Sequence, residues 1–222
     1  MASRAMTEKP KGVGETLSAL VAAEGSAGQG YSTSSTLLTG DRSTRNLADA
    51  AHLLCLLHGG YPGVIDHASQ RIVHPVARGW TYRALAGFSV ERMFLTRLVV
   101  AAGPLPSTPG QAQSEAAVNG QTRALSTLAQ SERNGTALGA TLALVLDWRT
   151  IRQVLDSAAI RFGLQPPPLD LPNVEDTLTA ATAAAETPAI ERALAFGAQQ
   201  LLIQHRGLWS LLETRDGARR DS

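Results

Sequence analysis

The chain has 222 residues, of which 35 are Ala and 30 are Leu, against 18 Val plus Ile, 10 aromatics and one Cys. Ala and Leu are strong helix formers, and the residues that favour strands are scarce, so the composition excludes a sheet-rich fold and implies an all-α one. The 20 basic and 19 acidic residues leave a net charge of +1 with no dense cationic run, which removes the attraction behind non-specific binding to nucleic acid or an anionic membrane.

A single Cys55 excludes an internal disulfide framework and any CxxC zinc or redox motif, and suits a reducing compartment. The longest charge-free apolar stretch, Gly135 to Leu146, falls short of the roughly 20 residues that span a bilayer. Leu17 to Ala23 is apolar but bracketed by Glu15 and Glu24, a poor match to a signal peptide. The expected setting is soluble and cytoplasmic.

In chain order, residues 1–14 are polar and expected to be disordered, and a short helix follows from Glu15 to Ala23. Gly25 to Gly40, rich in Gly, Ser and Thr, reads as an ordered loop. A second helix is expected from about Asn46 to His58, stopped by Gly59-Gly60. A helical turn follows from Pro62 to about Ala68. A third helix runs from about Ala77 to Ala102 and ends at a proline-rich connection, Gly103 to Gly110. A fourth reaches about Glu132, where Asn134-Gly135 makes a turn, and a fifth spans Thr136 to Phe162. After the rigid Pro166 to Pro168 spacer come helices at about Val174 to Ala185 and Ala189 to Leu212. Residues 214–222 are charged and expected to form a disordered tail, which leaves 15–213 as one helical domain. Short connections suit an antiparallel bundle of about four core helices, with a short N-terminal helix and a long C-terminal helix packed on it. Gly135 and Gly139 form a GxxxG pattern that permits close helix packing.

No GxxxxGK[ST], HExxH, GxSxG or GxGxxG motif is present, which removes the familiar enzyme classes. The informative residues are polar side chains that fall inside apolar stripes when each helix is projected at about 100° per residue. Glu91 sits among Ala84, Phe88, Leu95 and Leu98. Glu132 continues the series Val118 and Leu125. Asp147 lies among Leu144, Ile151 and Val154, and His205 among Leu194, Leu201, Leu208 and Leu212. Asp49 and His52 are the polar residues of the otherwise apolar second helix.

A buried carboxylate needs a partner or a shifted pKa. Inward carboxylates and imidazoles from several helices are the recipe for a metal centre in a bundle. His52, Glu91, Glu132, Asp147 and His205 are the candidate ligands, and Fe, Mn or Zn the candidate metals if they converge. The bland alternatives are structural. Asn46 and Asp49 fit a capping arrangement, Glu132 a solvated helix end, Glu91 and Asp147 ion pairs with an Arg such as Arg92 or Arg123, and His205 a core histidine. His58, His67 and His74 read as surface or cap residues. The Glu-x-x-His pairs of di-iron bundles are missing, since Glu91 precedes Arg-Met-Phe and Asp147 precedes Trp-Arg-Thr. A ferritin-like likeness is therefore one of architecture.

The run Asn46-Leu-Ala-Asp-Ala-Ala-His52-Leu-Leu-Cys-Leu-Leu-His58, with Pro62-Gly-Val-Ile-Asp-His67-Ala and the Gly103 to Gly110 connection, resembles an uncharacterised bacterial family with an all-helical domain. The resemblance covers residues 14–212 and implies no activity, ligand or catalytic residue. The function expected from the residues is a structural or interaction module that docks a protein partner or a second copy. Trp148 and Trp209 serve either as its anchors or as core fillers. The alternative is a metal-binding enzyme or sensor.

Overall fold

A computed structural model describes residues 12–72 and 74–221, so the expected disorder of residues 1–11 lies outside the described chain, while Val13 and Gly14, also expected to be disordered, form the start of the first helix. Among the described residues there are nine α-helices, one 3-10 turn and no strand. The helices are α1 (Val13–Glu24), α2 (Ser35–Leu38), α3 (Ser43–His58), α4 (Val64–Ser69), α5 (Pro75–Ala102), α6 (Gln111–Ala129), α7 (Thr136–Arg161), α8 (Val174–Ala184) and α9 (Pro188–Arg220). The 3-10 turn, Ser26–Gly28, and α2 fall within the Gly- and Ser-rich loop.

Local chemistry sets these boundaries. Pro75 and Pro188 open α5 and α9, where a missing N–H costs nothing. Asn173 caps α8 by accepting the Asp176 N–H at 2.7 Å. The Asn134-Gly135 turn places Gly135 at φ 98°, a left-handed conformation that only glycine adopts easily, directly before α7.

Helix α7 is the centre of the fold, and every residue from Thr136 to Trp148 is buried. Its most extensive partner is α9, and α3, α4, α5, α6 and α8 also pack against it. The last long helix is thus an axis of the core rather than an addition to a finished bundle. Direction can be read from the contacts. His52 of α3 meets Gly103 beyond the end of α5, while His58 meets Phe88. Asp49 meets Arg215, while His58 meets His205. The expected antiparallel order therefore holds for α3 against α5, and α3 also runs antiparallel to α9. Helices α7 and α9 differ, because Gly139 lies on Leu194 and Asp147 on His205, so the two run parallel. The Pro-rich segment and α8 supply the crossover that this direction requires.

The α7–α9 contact is a backbone contact. A Cβ on Gly139 would lie 2.0 Å from the Leu194 carbonyl oxygen, and one on Gly197 would lie 2.0 Å from that of Thr136. Gly139 of the GxxxG pattern thus permits the close packing expected of it.

The C-terminus departs from expectation. Residues 214–220, read as disordered because they are charged, are the last turns of α9, and Arg215 and Asp216 are buried. Arg215 gives Asp49 two hydrogen bonds at 3.0 Å, and Arg219 gives it a third at 2.6 Å. Asp49 accordingly caps nothing. Helix α3 starts at Ser43, which places Asp49 in its second turn as the counter-charge to α9. Among the described residues no helix is long and apolar enough to cross a membrane.

Candidate functional site

Asp147 and His205 come together where α7 and α9 lie side by side. His205 donates its Nδ1–H to Asp147 Oδ2 at 2.6 Å, and both side chains are buried. Asp147 also accepts the Ser26 N–H at Oδ1 (2.7 Å) and the Ser26 hydroxyl at Oδ2 (2.6 Å). The Trp209 indole N–H in turn donates to the Ser26 oxygen at 2.8 Å. Ser26 can approach because its neighbour is glycine: a Cβ on Gly25 would stand 2.6 Å from Asp147 Oδ1. Burial pushes the Asp147 carboxyl up, but the hydrogen bonds from His205 and Ser26 together pull harder and leave it below its ordinary value.

The chain of hydrogen bonds continues outward. His205 Nε2 and His58 Nε2 are 2.9 Å apart, with the rings edge to face. Proton bookkeeping follows from Asp147. An ionised carboxylate only accepts, so His205 carries a proton on Nδ1, and in the neutral imidazole its Nε2 then offers a lone pair. His58 then donates its Nε2–H to His205 and keeps a lone pair on Nδ1. Burial first, then the repulsion that His58 would meet from a protonated His205 and from Arg92, holds the His58 imidazole well below its usual range and hence neutral. Edge contacts with Trp148 (5.4 Å) and Phe88 (6.3 Å) fix the ring.

His58 also lines a cavity of about 150 Å³ between α3, α4, α5 and α6. Its walls include Val64, Ile65, Phe88, Leu125 and Leu144, with Arg92, His67 and Thr122 as polar groups. Exposed Gly60, Pro62 and Ser126 form the rim.

The other candidates lie apart. Glu91 accepts the Trp148 indole N–H at 2.9 Å and Arg152 Nη1–H at 2.7 Å, and Arg152 continues to Asp156 and the Pro167 carbonyl. Burial nevertheless pushes the Glu91 carboxyl above its ordinary value. A structural ion pair was expected here, and Arg152 rather than Arg92 or Arg123 is the partner. Arg92 instead pairs with Asp66 at 2.7 Å. His52 bonds through Nε2 to the Gly103 carbonyl at 2.8 Å. Glu132 is exposed beyond the end of α6. Of the five proposed ligands only Asp147 and His205 meet, and among the described residues no three His, Cys, Asp or Glu side chains are grouped so as to hold a metal ion. Trp148 and Trp209 are both buried, so they fill the core and leave no surface anchor.

The sequence reading missed two members of the chain. His58 continues the buried stripe Leu47, Ala51 and Leu54 of α3, a signal masked by the Gly-Gly that follows it. Ser26 carries no periodic signal, since it lies in the Gly- and Ser-rich loop.

The fold and this chain of residues define an all-helical protein with an imidazole-terminated polar chain that leads from the core to a cavity. A model for a family of unknown function, DUF6975, matches residues 21–220, and the chain belongs to that family. No curated protein and no solved structure matches it.

Proposed function

We propose that the protein binds a small molecule in the His58 cavity and performs acid–base chemistry on it. The observation that carries this reading is the directional chain from Asp147 through His205 to His58, whose open end is a ring at the cavity. His58 Nδ1 accepts a proton from the bound molecule, and its Nε2–H passes to His205 Nε2. The positive charge then rests on His205, which is hydrogen-bonded to the Asp147 carboxylate. Return of that proton completes a cycle, so His58 serves as base and then acid. A reducing, cytoplasmic setting belongs to the same reading and is supported by the lone half-buried Cys55.

The test has two parts. Histidine ¹⁵N spectra at neutral pH should find His58 as the Nε2–H tautomer and His205 as Nδ1–H. In D₂O, protein added to a pool of small metabolites should exchange a carbon-bound hydrogen for deuterium in at least one of them, and His58→Gln should abolish this. His58 in the Nδ1–H form, or no His58-dependent exchange, overturns the reading.

A second reading, docking of a protein partner or a second copy, is supported by α5. Tyr82, Met93 and Val100 are exposed and spaced to fall in one line along that helix. Met93→Asp should abolish any concentration-dependent association seen by sedimentation. A monomer at all concentrations, with no partner lost from Met93→Asp, sinks this second reading.

A further inference from the structure

We propose that the molecule taken by the His58 cavity is a small organic carboxylate, seated on the Arg92 guanidinium. The inference rests on the reading of His58 as the proton acceptor of that cavity and adds the class of ligand.

Arg92 is a buried cation with unused hydrogen-bonding capacity. Its Nη2 donates to Asp66 Oδ2 at 2.7 Å, and that same oxygen also accepts the Gly63 N–H at 2.7 Å. Its guanidinium carbon lies 5.5 Å from the Phe88 ring centroid and 5.7 Å from that of Tyr61, within cation–π range of both. Its Nε is fully buried and finds no acceptor among the described residues. A buried N–H without an acceptor carries its full desolvation cost, and since Arg92 lines the cavity, a ligand entering there reaches the guanidinium and displaces its neighbours slightly to meet Nε. A planar guanidinium matches a planar carboxylate, which accepts two parallel N–H bonds, better than a diffuse dipole.

The wall composition agrees. No Asp or Glu lines the cavity, and Arg92, whose counter-charge Asp66 stands behind it, presents N–H donors there beside His58 and His67. The remaining wall is largely apolar, which calls for a hydrocarbon body beside the charged group. A space of about 150 Å³ holds roughly five water molecules at ~30 Å³ each, which limits the body to a few carbons.

The ligand's charge should act on the proton acceptor. The charged and titratable groups around His58 are His205 from α9, Asp147 behind it from α7, Arg92 from α5 with its Asp66 from α4, and His67 from α4. A bound carboxylate offsets the repulsion that Arg92 exerts on a protonated His58, which eases the step in which His58 takes a proton from the ligand.

The probes are sodium propionate, its neutral analogue propionamide and inorganic phosphate, each titrated into the full ¹⁵N-labelled chain at constant ionic strength. Propionate should shift the Arg92 Nε–H resonance saturably, and propionamide should leave it unmoved. Arg92→Gln should raise the propionate Kd at least tenfold while the His58 and His205 tautomers persist. Should Arg92→Gln not fold, Ser126→Trp, made at the exposed rim, should block the propionate response in a folded chain. An equal response to propionamide, a response to phosphate and none to propionate, or a propionate Kd unchanged in both variants overturns the proposal. If the tautomers are as described and propionate is inert, the ligand class fails while the proton chain stands. If the tautomers differ, the underlying reading of His58 fails.

Discussion

Two buried carboxylates, Asp49 and Asp147, both face α9 and are equally secluded from water, yet their partners differ in kind. Asp49 is held by the guanidiniums of Arg215 and Arg219, which stay charged at every relevant pH. Asp147 is held by a serine and an imidazole, and the imidazole leads to a second one at a cavity. The first arrangement locks a negative charge in place and gives it nowhere to send a proton. The second compensates the same charge with groups whose protons can be relocated. A buried carboxylate thus says little about function until the chemistry of its partner is known, and its distance from a cavity then decides whether that chemistry is used.

The largest effect should come from breaking the permanent pair. Asp49→Ala leaves two guanidiniums buried without their counter-charge and should cost about 3–5 kcal/mol in denaturant unfolding, with little change in the histidine spectra. Asp147→Asn should cost less, about 1.5–3 kcal/mol for weakened charge-assisted hydrogen bonds, but should disturb the His205 and His58 tautomers. A variant at Asp49 that altered those tautomers, or one at Asp147 that did not, would erase the contrast.

Acid sharpens it further. The lowered pKa of His58 means that below the unfolded value of about 6.5 the unfolded chain binds a proton that the native chain refuses. Stability should then fall as pH drops from there, with a slope of up to about 1.4 kcal/mol per pH unit for one proton. In His58→Gln the slope between about pH 6.5 and 5 should be shallower by that amount, whereas Asp49→Ala should retain it. Equal slopes in wild type and His58→Gln would remove the case for a neutral His58. The smallest effect belongs to the surface pair of Arg83 and Asp176, whose side chains are 60 % and 39 % exposed. Arg83→Ala should change stability by less than about 1 kcal/mol.

Most helices were legible in the sequence because glycine, proline and capping residues punctuate it, as Gly103, Pro188 and Asn173 show. The end of α9 was not, although Leu208, Leu212, Arg215 and Asp216 continue one face of that helix. Charge masked the period: a buried Arg215 is affordable only because Asp49 lies opposite, and that pairing spans the chain from α3 to α9. The site was half legible for a similar reason. Asp147 and His205 stood out as polar residues in apolar stripes, but the pattern of one helix does not reveal which residue of another it meets. Nor does it reveal direction, and the parallel run of α7 and α9 decides the pairing.

The glycine contact between α7 and α9 has a consequence for chemistry. Gly139 precedes Asp147 by eight residues, and Gly197 precedes His205 by eight, a rise of roughly 12 Å along either helix. Gly139 lies on Leu194 and Gly197 on Thr136, so the two parallel rods are clamped at one crossing, and that mark fixes the level at which the carboxylate and the imidazole meet. Widening the mark by even one methyl group would slide or splay the rods and misalign the pair a dozen ångströms away. Selection for close packing at a place with no titratable group is, in this protein, also selection for the alignment of a proton's route.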